Sequence, residues 1–93
     1  MSQMYNPPHP GLVLREYLGS MDIAEAAQRL GVSRASIEAI LACQEPVSAD
    51  LSLRLSEAMG THSGFWSGLQ MQYDLWQATQ IERPRVQPFE QVA

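Results

Sequence analysis

Between a Pro-rich opening and a Pro-rich close, apolar residues recur three and four positions apart in five blocks, the spacing of helices with one buried face. Pro10 suits the first turn of the first block, where Leu14, Tyr17 and Leu18 follow until Gly19. In the second, Ile23, Ala26, Ala27 and Leu30 share a face, with Asp22 as N-cap and Gly31 as the end. Ser33 caps a third helix that turns Ile37, Ile40 and Leu41 inward, and Pro46 marks its end. Ser48 caps a fourth, running through Leu51, Leu55, Ala58 and Met59 to Gly60. Ser63 caps a fifth, from Gly64 to about Thr79. No alternating β-branched run is bounded by hairpin turns, so the pattern predicts an all-α chain. It divides into an extended segment over 1–9, a helical domain over 10–79 and a tail over 80–93.

The informative unit is 22–42, two short helices joined by Gly31-Val32-Ser33. A short turn containing Gly sets two helices at a steep angle, as in helix-turn-helix proteins, although spacing alone also allows a plain αα-hairpin. In the former, the second helix enters the major groove with its N-terminal residues at base edges. With Ile37 inward, Ala35, Ala39 and Ala42 point outward, flanked by Arg34, Ser36 and Glu38. Arg34 can fork onto guanine, and alanines can touch thymine methyls. Ser33, as the cap, leaves oriented amides that can sit against a phosphate. Arg29 and Arg54 are second-rank phosphate candidates. The small Ala26 and Ala27 allow close approach of the two helices.

Charge complicates that picture. The 93 residues hold 10 acidic and 6 basic side chains, net −4, and every basic residue is Arg. Within 22–50, Arg29 and Arg34 face Asp22, Glu25, Glu38, Glu45 and Asp50, leaving −3. Affinity for DNA comes largely from phosphate neutralisation with counterion release, and this segment offers little of it. A second reading therefore stands beside DNA binding: a protein-interaction module, its outward alanines admitting close helix contact.

Other chemistries are poorly supported. At 45% apolar and 17% charged the chain reads as globular. Its apolar runs are far shorter than the roughly 20 residues of a membrane span. No secretory pattern opens it, and the single Cys43 excludes an internal disulfide, so a reducing, cytoplasmic setting is expected. Cys43 has no His near it in sequence and reads as a small, buried or half-exposed residue rather than a nucleophile. His9 and His62 are too few for a metal site. No nucleophile–base–orienter set is recognisable, so neither an enzyme nor a cofactor is expected.

On the fifth helix, Phe65, Trp66, Leu69, Tyr73 and Trp76 fall in an arc of about 100° that belongs to the core. Met71 and Leu75 project elsewhere, and Leu53 stands among Ser52, Arg54, Ser56 and Glu57. These three predict a homodimer contact. Asp74, between aromatics, needs a polar partner if buried. In the tail, Arg83, Arg85 and Phe89 lie between and beyond prolines in a segment able to order on a partner.

The string from Glu25 to Arg34 resembles the XRE/Cro-type helix-turn-helix superfamily, the fold of phage repressors. Three stretches narrow this: His9-Pro10-Gly11 with Leu14-Arg15-Glu16-Tyr17-Leu18; Val47 to Leu55; and Phe65-Trp66-Ser67-Gly68-Leu69-Gln70 with Tyr73-Asp74-Leu75-Trp76. Together they are similar to the HigA (VapI-like) plasmid-maintenance antitoxins over about residues 9–77. The resemblance implies a five-helix, lambda-repressor-like domain. It also implies a dimer that binds double-stranded operator DNA, neutralises a cognate mRNA-cleaving toxin and represses its own operon. Two places depart from the pattern: Ile23 stands where relatives usually carry a phosphate-contacting Gln, and Ala42-Cys43-Gln44-Glu45 where they commonly read Asn-Gly and basic residues.

Overall fold

Helices begin in this protein where a side chain can satisfy the amides that no preceding turn reaches. The computed structural model describes residues 6–90. It contains α1 (Pro10–Leu18), α2 (Ile23–Leu30), α3 (Arg34–Leu41), α4 (Ala49–Met59) and α5 (Phe65–Thr79), with no strand among the described residues. Asp22 accepts from the Glu25 amide at 3.2 Å, Ser33 from Ser36 at 3.1 Å and Ser48 from Leu51 at 3.1 Å. Gly31 and Gly60 close α2 and α4 in the left-handed conformation, each at φ 75°.

The five helices enclose one core. Leu14, Ile37, Leu55 and Trp66 are wholly buried, joined by Ala27, Leu30, Ile40, Leu41, Val47 and Leu51. Each fully buried aliphatic side chain among them contributes about 1.5–3 kcal/mol. α1 packs on α3 and α5, α2 on α3 and α4, and α4 on α5. The α1–α3 approach is so close that a Cβ at Gly11 would overlap the main-chain carbonyl of Ile40.

His9 starts α1, its Nδ1 accepting from the Gly11 amide at 2.9 Å while its ring meets the Tyr73 ring edge-on at 4.8 Å. The imidazole is buried, and that burial lowers its pKa below the ordinary 6.5, against a smaller upward pull from Asp74. An accepting Nδ1 also requires the neutral ring. Because the folded-state pKa is the lower one, the unfolded chain takes up the proton first. His9 thus contributes its stability above about pH 6.5, and this is lost as the pH falls from there through the folded value. His9→Asn, which can still cap, should flatten the dependence of urea-unfolding stability on pH just below 6.5.

Several expectations from the pattern are corrected. α3 ends at Leu41, well before Pro46, because Cys43 adopts φ 62°. The Cys43 amide donates to Ile40 and the Gln44 amide to Ala39, both at 2.9 Å, closing a Schellman motif that normally takes glycine. Cys43 itself is exposed rather than buried or half-exposed. The left-handed backbone costs an L-residue about 1–2 kcal/mol, partly offset by glycine's greater freedom when unfolded. Cys43→Gly should therefore raise stability by about 0.5–1 kcal/mol in chemical denaturation.

Ser63 does not cap α5. Gly64 holds that position without a side-chain cap, and the work falls to other groups. The His62 carbonyl accepts from the Phe65 amide at 3.0 Å, and Ser52 Oγ on α4 accepts from the Ser67 amide at 3.0 Å. Ser52 and its neighbour Ser56, which sequence placed on a polar face, are buried. Ser56 Oγ lies 2.8 Å from the Ser52 carbonyl and 2.9 Å from that of His62, tying α4 to the loop before α5. Ala58, assigned to the inward run, is exposed.

The aromatic arc of α5 is also only partly interior. Trp66 is fully covered, whereas Phe65, Leu69, Tyr73 and Trp76 are half-buried. The other buried residue of the helix is Gln70, whose Oε1 accepts from the Val47 amide at 2.7 Å. Its Nε2 donates to the exposed Asp74 at 2.9 Å, so α5 holds the segment that leads from α3 into α4.

Candidate nucleic-acid interface

The α2–α3 pair forms from two local signals. Gly31 lets the Val32 amide return to the Ala27 carbonyl at 3.0 Å, and Ser33 immediately restarts a helix. The buried Ala26 and Ala27 bring α2 against α3 and α4. Ile37, Ile40 and Leu41 face the core, leaving Ser33, Arg34, Ala35, Ser36 and Glu38 exposed and Ala39 half-buried. These residues share the outer face of α3. Ser33 and Ser36 hydroxyls lie 2.8 Å apart, so the cap is doubly held. Beside this face lies an open depression of about 400 Å³ lined by Ala35, Ser36 and Ala39 together with Glu45, Ser48 and Asp50. Ile23 is half-buried against the core and offers no hydrogen bond to solvent.

Every arginine on these helices has a carboxylate partner. Arg29 Nη2 is 2.7 Å from Glu25, Arg34 Nε 2.9 Å from Glu38 and Arg54 Nε 2.7 Å from Asp50. Each pair spans four residues on one helix, a spacing visible in the sequence but unused in predicting the site. Exposed pairs of this kind add only about 0.3–0.5 kcal/mol to stability, so a phosphate can displace the carboxylate. Arg54 is the most constrained, because its Nη1 also donates to the Leu30 carbonyl at 2.8 Å. It caps the C-terminus of α2, a structural duty that sequence reasoning missed. Arg15 does the same for α3, with Nη2 3.2 Å from the Leu41 carbonyl. The three residues expected at a dimer contact, Leu53, Met71 and Leu75, are each more than half exposed.

Two short helices, a glycine turn, a doubly held N-cap and an outward polar face on the second helix define a helix-turn-helix protein. No protein-family model matches the chain. Virulence-associated protein A′ of Dichelobacter nodosus is 40% identical over 78 residues, covering 81% of this chain and 68% of that one. The HigA-family addiction module antidote protein of Coxiella burnetii superposes with a TM-score of 0.79 at 35% identity, over 82% of this chain and 86% of that one. The Pseudomonas aeruginosa antitoxin HigA, solved with the higBA promoter, gives 0.76 at 36% identity, over 80% and 84%. The chain belongs to the HigA-type antitoxins of the helix-turn-helix regulators. Among the described residues no helix is long and apolar enough to cross a membrane, and no acidic, His or Cys cluster could hold a metal ion.

Proposed function

We propose that the protein is a dimeric, operator-binding antitoxin that neutralises a cognate mRNA-cleaving toxin and represses its own operon in the cytoplasm. Residues 10–79 form the binding domain, flanked by the segments 1–9 and 80–93, of which 1–5 and 91–93 lie outside the described residues. The observation that carries this reading is the exposed face of α3, with Arg34 in its first turn and Ser33 and Ser36 locked beside it, in a chain of HigA type. Arg34 reads a base edge. Ala35 and Ala39 offer apolar contacts, Glu38 flanks them, and the α3 amides above Ser33 meet a phosphate. Arg29 and Arg54 are auxiliary phosphate contacts. Leu53, Met71 and Leu75 supply the dimer contact. The role is binding rather than catalysis.

One observation favours a second reading, a protein-interaction module on the same fold: the carboxylate pairing of Arg29, Arg34 and Arg54 on an acidic surface. Fluorescence anisotropy on the duplex upstream of the gene, at two salt concentrations and beside a scrambled duplex, separates the two. A repressor binds the native duplex preferentially and loses affinity with salt, at a slope near −0.9 per neutralised phosphate. Arg34→Ala should then cost about 1–3 kcal/mol of specific binding. Equal, feeble binding to both duplexes would transfer the function to the interaction module.

A further inference from the structure

The three paired arginines are not equivalent. Arg29 engages Glu25 through a terminal amino group, Nη2, which removes one arm of its fork. Arg54 holds Asp50 through Nε and the end of α2 through Nη1. Arg34 alone of the three is held only through Nε, at 2.9 Å from Glu38 Oε2, and both its terminal amino groups remain without a protein partner among the described residues. A guanidinium fixed at Nε keeps the edge that pairs with guanine O6 and N7.

The direction of the pair is equally telling. Glu25–Arg29 and Asp50–Arg54 place the acid first, the order that suits the helix dipole. Arg34–Glu38 is reversed, and it sets a cation in the first turn of α3, where the dipole disfavours one. In this order the pair supports its helix less than the other two support theirs.

The geometry points to Arg34 and Glu38 as a single reading unit, in which Glu38 is a specificity-determining positioning residue that presents the Arg34 fork to guanine. The inference rests on the operator-binding reading above. Glu38 lowers affinity for DNA in general, since its charge opposes phosphate, and raises discrimination, since it orients the arginine.

The test is selection of duplexes from a randomised pool by the full-length protein and by Glu38→Gln, Glu38→Ala and Arg34→Ala, followed by anisotropy on the enriched duplex and on a scrambled control. The wild-type motif should contain a guanine whose replacement weakens binding about tenfold. Glu38→Gln, which retains an acceptor for Nε, should keep that preference. Glu38→Ala should lose most of it while binding the scrambled duplex about 2–5-fold more tightly, and in the Arg34→Ala background it should still relieve the charge repulsion but have no further effect on the guanine preference. If Glu38→Ala tightens both duplexes equally with the guanine preference intact, Glu38 is only a charge and the positioning role is overturned. If the wild-type protein enriches no sequence at all, operator binding itself is overturned, and this inference with it.

Discussion

Gly11→Ala should be among the most damaging single substitutions in the chain, although it adds one methyl group. In a helix interior, Gly→Ala ordinarily gains about 0.8–1.0 kcal/mol. Here the new Cβ would enter the Ile40 main-chain carbonyl and lie 3.1 Å from His9 Nδ1. A flexible side chain could swing away, but a helical carbonyl cannot, so α1 must lift from α3. Overpacking typically costs about 1–3 kcal/mol, and a clash with main chain belongs at the upper end of that range. The His9 cap and the Leu14 contacts sit on the same helix and would be disturbed together. Against a total of about 5–14 kcal/mol for a domain of this size, the net loss is a large share. Gly68→Ala is the matched control, because its Cβ meets nothing within 4 Å on α5. Urea unfolding should show Gly68→Ala slightly stabilised and Gly11→Ala strongly destabilised. Equal effects would mean that the α1–α3 contact is looser than described.

Trp66 is the second site of large effect, and there the outcome depends on what replaces the indole. The side chain is fully buried, its ring 5.2 Å from Tyr17 and 5.1 Å from Phe65. Trp66→Ala leaves a cavity among α1, α4 and α5 and should cost about 3–5 kcal/mol. The indole Nε1–H, however, finds no hydrogen-bond partner among the described residues. A buried donor left unsatisfied costs about 1–3 kcal/mol, and Trp66→Phe removes that penalty while retaining most of the apolar bulk. Thermal unfolding should therefore place Trp66→Phe much closer to the wild-type protein than to Trp66→Ala. A Phe variant as unstable as the Ala variant would show that the indole's shape, not its area, is what the core requires.

Elements with a local physical cause could be read from the sequence. Asp22, Ser33 and Ser48 announce helix starts because a short polar side chain meets its own backbone three residues on. Gly31 and Gly60 announce ends for a similarly local reason. The resemblance to HigA-type antitoxins was legible in motifs spread over most of the chain, and the relatives support it. What was not legible depends on groups far apart in sequence. Ser52 and Ser56 look like solvent-facing polar residues until the carbonyls of Ser63 and His62 are brought against them. Gln70 gives no sign that the Val47 amide will need it. Cys43 hides a left-handed turn because the residue that usually signals one is absent. At the candidate interface, the face of α3 followed from periodicity, whereas the distinction among three arginines required seeing which nitrogen each commits.

The bond from Arg54 to the end of α2 bears on how modular the recognition unit is. Leu30 and Gly31 lie at the hinge between α2 and α3, and their carbonyls accept from a side chain on α4, 2.8 and 3.4 Å away. The angle between the two helices is therefore set partly from outside the pair. A synthetic 22–42 peptide would carry all the base-facing side chains yet lack the brace that aims them. Transplanting the specificity of this pair onto another scaffold therefore means carrying α4 along with α2 and α3.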